Sequence, residues 1–137
     1  ATAVNARFGD QISLSGYEAL GEAAPGQTIA IKLYWQALRP PDDNYLVFIH
    51  LLDAAGQLVT NHDGQPMDGR FATRAWQPGI TVPDNHPLVL PPDLPPGDYQ
   101  VMVGLYQQET GERRPVWDAA GVEQANGSLP LTFIEIK

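Results

Sequence analysis

Thirteen prolines are spread along the chain from Pro25 to Pro130, and they limit more than any other feature what it can fold into. Proline has no backbone N–H and breaks the interior of a helix, and no window of the sequence shows the sustained apolar period of a helix. The 137 residues contain no cysteine, so a hydrophobic core must hold the fold without disulfides. We therefore expect an all-β fold in which residues 1–137 form one domain, cut from a longer protein.

Alternation of apolar and polar residues predicts a series of short strands. The clearest is Gln27–Leu38, where Trp35 lies on the apolar face, and Tyr45–Leu52 has apolar residues on both faces, which predicts that it is covered twice. Asp53–Gly56 predicts a tight turn between Tyr45–Leu52 and the next strand. The other predicted strands are Gln11–Tyr17, Gln57–Asn61, His86–Leu90, Asp98–Gln107, Arg113–Trp117 and Leu129–Ile136.

Two further features indicate how these strands are arranged. The segment from His62 to Asp84 shows no strand period, and we interpret it as an ordered excursion that covers the outer side of Tyr45–Leu52. Tyr99 follows a Pro/Gly corner, as does the corner tyrosine of immunoglobulin-like sandwiches, whose hydroxyl bonds back to the backbone. The sequence therefore predicts a two-sheet antiparallel β-sandwich of immunoglobulin-like type.

Charge and motif content exclude several classes of function. Eight Lys and Arg against sixteen Asp and Glu give a formal net charge of −8, which disfavours binding to nucleic acid or to an anionic lipid surface. The longest apolar run, Leu46–Leu52, is far shorter than the roughly 20 residues that span a bilayer, so we expect no membrane insertion by this segment. The chain has no nucleophile elbow, phosphate-binding glycine loop or zinc-protease motif. We predict that it is not an enzyme, with a chance pair of carboxylates for glycoside hydrolysis as the remaining alternative.

Several motifs together carry a family resemblance: Leu33-Tyr34-Trp35, Tyr45 to Asp53 with Gly56, Asp63 with Pro66 and Gly69, Trp76 with Pro78-Gly79, and Pro95 to Tyr99 running to Gly104-Leu105-Tyr106. With them the chain resembles the C-terminal β-sandwich of multi-pass bacterial membrane proteins, often ones similar to family-39 or mannosyl-type glycosyltransferases that use lipid-linked sugars. The resemblance covers nearly the whole chain. It implies an accessory domain at the extracytoplasmic face of the cytoplasmic membrane, with the catalytic carboxylates in the membrane part, and it supplies no site residue.

Exposed aromatic rings are the residues expected to bind a glycan, because the apolar C–H faces of a pyranose stack on them. The candidates are Trp76 and Trp117, with Tyr45 and Tyr106 behind them. The alternative for Trp76, which we favour, is that it anchors the excursion on the sheet.

Histidines and acids offer a weaker case for a metal site. If the hairpin closes on Asp53 and Gln57, position 50 lies opposite 60 and position 48 opposite 62, which places His50 and His62 on one face near Asp63 or Asp68. Such a group could hold a borderline cation, and the loop acids Asp53, Asp63, Asp68 and Asp84 could gather around calcium. We favour a structural histidine pair and turn-forming acids, so no cofactor is expected, and His86 is given no role.

Taken together, the sequence predicts a non-catalytic accessory domain of a membrane glycosyltransferase-like protein. Its partner would be a glycan, held weakly, or its own membrane-embedded parent. The alternative is a purely structural sandwich that binds no small molecule. The two hypotheses differ in whether an exposed aromatic and polar groove exists.

Overall fold

The computed structural model describes residues 1–137. Three short 3-10 turns accompany the strands, at Pro66–Gly69, Thr73–Ala75 and Ala125–Gly127. None of these helical segments is long and apolar enough to cross a membrane. The nine strands are β1 (Thr2–Phe8), β2 (Ile12–Leu20), β3 (Thr28–Ala37), β4 (Tyr45–Leu52), β5 (Leu58–Gly64), β6 (Thr81–Val89), β7 (Gly97–Gln107), β8 (Val116–Trp117) and β9 (Leu129–Ile136).

The strands form two antiparallel sheets packed face to face. One sheet has the order β6-β3-β2-β1-β8 and the other the order β5-β4-β7-β9. Each strand sends alternate side chains into the space between the sheets, as in β3, where every second residue from Ile29 to Ala37 is buried. The predicted all-β, two-sheet sandwich is therefore confirmed.

The core is built around Trp35 of β3. This side chain is fully buried, and the ring of Phe8 meets it edge-on at a centroid distance of 5.3 Å. Tyr99, at the start of β7, donates its hydroxyl proton to the carbonyl oxygen of Pro95 at 2.7 Å, so the predicted tyrosine corner is confirmed.

The strand boundaries differ from expectation where polar or irregular positions interrupt the pattern. β1 was not expected from its sequence, because only Ala6 and Phe8 of its seven residues are buried and a bulge with Asn5 at φ 56° breaks the alternation. β6 begins at Thr81, well before the predicted 86–90, and β8 is only two residues long. β4 and β9 have the predicted bounds.

The hairpin between β4 and β5 closes as expected but carries a bulge. Asp53 N–H donates to the carbonyl of Gln57 at 2.9 Å, and Leu52 pairs with Leu58. The register then shifts, so that Leu51 pairs with Thr60. One extra residue turns every later side chain of β5 to the other face.

The segment between β5 and β6 packs at the beginning of β4 and against the core. The Thr73 hydroxyl donates to the carbonyl of Asp43 at 2.6 Å and accepts the N–H of Tyr45 at 3.0 Å. Trp76 lies beside Trp35, with ring centroids 6.3 Å apart. The prediction that this excursion covers the outer side of β4 is wrong, because Trp76 is buried beside Trp35 and Arg113 is the side chain that lies over the outer face at Phe48.

Candidate functional site

A cleft of about 250 Å³ lies on the outer face of the four-stranded sheet, where β4, β5 and β7 are adjacent. Its side chains come from positions that point away from the core, and their neighbours in the register confirm this: Phe48 pairs with Asp63 and with Gly104. The hairpin after β7 adds the remaining wall. The lining residues are Phe48, His50, Asp63, Tyr106, Gly111 and Arg113.

Phe48 forms the floor of the cleft. Its ring lies directly over Gly104, where an added Cβ would be 2.1 Å from Phe48 Cε2, so only glycine allows the ring to lie flat on β7. The guanidinium of Arg113 lies above the ring at 4.4 Å from its centroid, a cation–π contact. Arg113 Nη1 also donates to the carbonyl of Asn126 at 3.1 Å, which fixes its position while leaving other N–H groups unused.

The walls of the cleft provide hydrogen-bonding groups around this floor. The Tyr106 hydroxyl donates to Asp63 Oδ2 at 3.1 Å, and the Asn61 amide donates to Asp63 Oδ1 at 3.0 Å. The imidazole of His50 lies 4.6 Å from the Phe48 ring, centroid to centroid. The cleft therefore combines an aromatic surface with an anionic acceptor, a cationic donor and two neutral polar groups.

Burial and neighbouring charges set the protonation of this cleft. Burial lowers the pKa of His50, and the Arg113 charge adds to this effect while Asp63 opposes it. Burial also raises the pKa of the Tyr106 hydroxyl, which the Asp63 charge and hydrogen bond raise further. The lowered pKa of His50 and the raised pKa of Tyr106 keep this imidazole neutral and this phenol protonated at neutral pH.

Of the four aromatic residues predicted to bind a ligand, only Tyr106 lies in this cleft. Trp76 is 1% exposed and donates its indole N–H to the carbonyl of Phe71 at 2.9 Å, so the prediction that it is an exposed ring is wrong and the anchoring alternative fits. Tyr45 is buried, and burial together with its hydrogen bond to Asp42 raises its pKa to about 12. Trp117 is half-buried on the other sheet, under the guanidinium of Arg7.

The predicted metal-binding group is not assembled. The bulge in the hairpin places His50 opposite Asn61 and His62 opposite Ile49, so the two imidazoles point to opposite faces of the sheet and their predicted pairing is wrong. Asp68 is exposed in the turn after β5. No three His, Asp or Glu side chains lie close enough together to hold a metal ion.

His62 instead meets His86, the histidine to which the sequence assigned no role. Their Nδ1 atoms are 3.1 Å apart, and His86 Nε2 lies 2.5 Å from Asp84 Oδ2. Asp84 also accepts the indole N–H of Trp35 at 3.1 Å and the backbone N–H of Met67 at 2.8 Å. These side chains join the edge strands β5 and β6 between the two sheets.

Three lining residues of the cleft, Phe48, Gly111 and Arg113, were not predicted as site residues. A phenylalanine on the outer face of β4 and a glycine in the middle of β7 were the available signal, because together they indicate a ring lying close against a backbone. Arg113 lies nearly ten residues beyond Gly104, at a hairpin whose position over β4 has no signal in the sequence.

A second depression lies over the five-stranded sheet and has a different character. It offers one aromatic ring and no charged side chain, and its lining residues are Ala1, Thr2, Ala3, Ser15, Gly16, Tyr34 and Thr81. It lacks the mixed aromatic and charged lining of the first cleft.

Comparison with known proteins gives a structural likeness only. No family model matches the chain, and no curated protein matches it significantly. Among solved structures, the crystal structure of the C-terminal domain of Wzt is similar, with a TM-score of 0.63 over 98% of this chain and 78% of that one. The two sequences are 11% identical, so this likeness shows a shared fold.

Proposed function

We propose that this chain is a non-catalytic domain that holds a glycan in the cleft on the outer face of the four-stranded sheet. In the setting implied by its resemblance to membrane glycosyltransferase domains, it acts as an extracytoplasmic accessory domain that keeps a sugar chain near its parent protein. A partner-docking role for the same face belongs to this proposal as well.

The observation that supports the proposal most strongly is the combination of groups around Phe48. A pyranose has apolar C–H faces and a rim of hydroxyls, so its recognition needs rings and hydrogen-bonding groups side by side. The Tyr106 and His50 rings supply partly exposed aromatic surface. Asp63 can accept hydrogen bonds from sugar hydroxyls, and Arg113 can donate to ring or hydroxyl oxygens.

The charge of the protein favours a neutral glycan. The net charge of −8 repels polyanions at long range, and the cleft itself contains one carboxylate and one guanidinium. Neutral hexose chains are therefore the expected ligands. A few ring and hydroxyl contacts, offset by association entropy, correspond to dissociation constants of roughly 0.1–10 mM. Weak binding suits a domain tethered beside its enzyme, where effective concentrations reach the millimolar range.

Titration with neutral oligosaccharides built from mannose, glucose or galactose tests the proposal. We expect millimolar binding that weakens about tenfold in Arg113→Gln and in Asp63→Asn, because each change removes a charge-assisted hydrogen bond. Asp93→Asn is the matched control, since Asp93 is an exposed acid in the corner before β7 and its loss should leave affinity unchanged. If none of the oligosaccharides binds at high millimolar concentration, the alternative of a structural sandwich that binds no small molecule is favoured.

A further inference from the structure

His62 and His86 form a histidine pair outside the cleft, between the two sheets. Asp84 and His86 are each 1% exposed, and His62 is half-buried at the edge of the sandwich. β5 pairs only with β4 and β6 only with β3, so no backbone ladder joins the two edge strands. The contact between His62 and His86 therefore bridges a seam that the backbone leaves open.

Hydrogen-bond chemistry fixes where the protons lie in the neutral form. Asp84 accepts the indole N–H of Trp35 and the backbone N–H of Met67, so we assign it as a carboxylate, and Nε2 of His86 is then the proton donor in the third contact. Nδ1 of neutral His86 is then an acceptor. Its contact with Nδ1 of His62 is a hydrogen bond only if His62 carries its own proton on Nδ1, which leaves Nε2 of His62 unprotonated.

A first added proton keeps every one of these contacts. When Nε2 of His62 takes up a proton from solvent, the proton on Nδ1 of His62 can pass to Nδ1 of His86. His86 becomes an imidazolium beside the Asp84 carboxylate, and the hydrogen bond between the rings persists with its direction reversed. The trio then carries no net charge.

A second proton removes the contact. Both Nδ1 atoms now carry hydrogen, so neither can accept, and two imidazolium ions face each other at about 3.1 Å. The charged groups facing His62 are His86 and Asp84 from β6 and Asp68 from the turn after β5, while Asp63, next to it on β5 but on the opposite face, acts on it through its charge. The three carboxylates favour the charged form, whereas burial and His86 oppose it.

We propose that His62, His86 and Asp84 form a proton switch: it holds β5 against β6 with zero or one added proton and releases this seam when a second proton binds. Asp63 follows His62 directly and lines the cleft, so release of the seam also alters the wall of the proposed glycan site. This last consequence rests on the proposed function, whereas the switch itself does not.

Imidazole ¹⁵N spectra of the full chain over an acid titration test the switch, because the two ring nitrogens report tautomer and charge separately. We expect His62 to begin as the Nδ1–H tautomer and to change to Nε2–H in the step in which His86 becomes charged. In a second step both rings become charged, and backbone amide shifts of β5 and β6 change. Two results would overturn the switch. One is a His62 ring that is the Nε2–H tautomer from the start and keeps it until the ring becomes charged. The other is a second step in which the backbone amide shifts of β5 and β6 do not change.

The variant His62→Gln provides the control. A glutamine amide can both donate to and accept from Nδ1 of His86, so the seam should stay closed and the second step should disappear. His50→Gln removes a histidine from the opposite face and should leave both steps intact. Glycan affinity is then measured above and below the pH of the second step, in the unaltered protein and in His62→Gln. A loss of affinity below that pH in the unaltered protein alone supports coupling between the switch and the cleft. If no glycan binds at any pH, the proposed function fails, and the switch is still decided by the imidazole spectra.

Discussion

Tyr99 makes a single hydrogen bond that joins a strand to the corner before it. Tyr99→Phe deletes this bond and leaves the Pro95 carbonyl without its partner, while the volume of the side chain hardly changes. We expect the free energy of unfolding to fall by roughly 0.5–1.5 kcal/mol, measured by urea denaturation. Tyr17→Phe is the control, because Tyr17 packs half-buried against the core yet makes no hydrogen bond through its hydroxyl. Equal midpoints for both variants would contradict the corner assignment.

Asp84 is the residue on which most buried hydrogen bonds converge. Asp84→Ala leaves the Trp35 indole N–H, the His86 imidazole N–H and the Met67 backbone N–H without an acceptor. We expect a loss of about 3–5 kcal/mol in unfolding free energy, because each buried donor left without an acceptor costs about 1–3 kcal/mol. Asp93→Ala, at an exposed acid, should cost little. A small loss in Asp84→Ala would show that these donors find other partners.

At the level of elements, β4 and β7 approach each other closely where Phe48 crosses Gly104. Gly104→Ala places a methyl group into the ring of Phe48 and within 2.7 Å of the carbonyl oxygen of Gly127. We expect a destabilisation of about 1–3 kcal/mol, measured by thermal or urea unfolding, together with weaker glycan binding, because the floor of the cleft must move. Gly64→Ala, where the nearest atom to an added Cβ is His62 Cε1 at 3.6 Å, serves as the matched control.

Strands whose inward positions are apolar could be predicted from the sequence, and strands with inward polar residues could not. β3 and β7 follow the expected alternation closely, and β4 and β9 have the predicted bounds, although a bulge opposite Val101 and Met102 changes which side chains of β9 point inward. For β6 the sequence predicts only the second half, because Asp84 occupies an inward position where a hydrophobic pattern requires an apolar residue, and because Pro83 argues against a strand unless it lies at an edge. The buried carboxylate is thus the reason that the first half of its own strand was not predicted.

The candidate site was harder to predict than the fold, because it depends on register. Of the residues singled out by type, Tyr106, expected to bind a glycan, and Asp63 and His50, considered as metal ligands, lie together in the cleft. The others do not: Trp76, Trp117, Tyr45, Asp68 and His62. The single bulged residue between β4 and β5 decides that His62 leaves this group and turns inward. A turn sequence predicts where a hairpin closes, but it carries no signal for the bulge that follows the Leu52–Leu58 pair.

For the whole molecule, the histidines determine how stability responds to acid. Burial lowers the pKa of both His50 and His62 below the ordinary value of 6.5. Below about pH 6.5 the unfolded chain therefore binds protons that the folded chain does not, and the free energy of unfolding falls as the pH falls from about 6.5 to the lowered pKa values, below which it levels off. Thermal melts at steps from about pH 7.5 to about pH 5 should show this decline. The double variant His50→Gln, His62→Gln should decline less, and an equal decline would contradict this cause.

Backbone amide shift mapping shows whether a glycan binds on the outer face of the four-stranded sheet. The unaltered protein is titrated with neutral oligosaccharides containing mannose, glucose or galactose. We predict that the perturbed amides cluster at Phe48, His50, Asp63 and Tyr106 and that the shifts saturate at millimolar concentration. Perturbations centred on the depression at Tyr34 or on Trp117, or no perturbation at high millimolar ligand, would contradict this prediction.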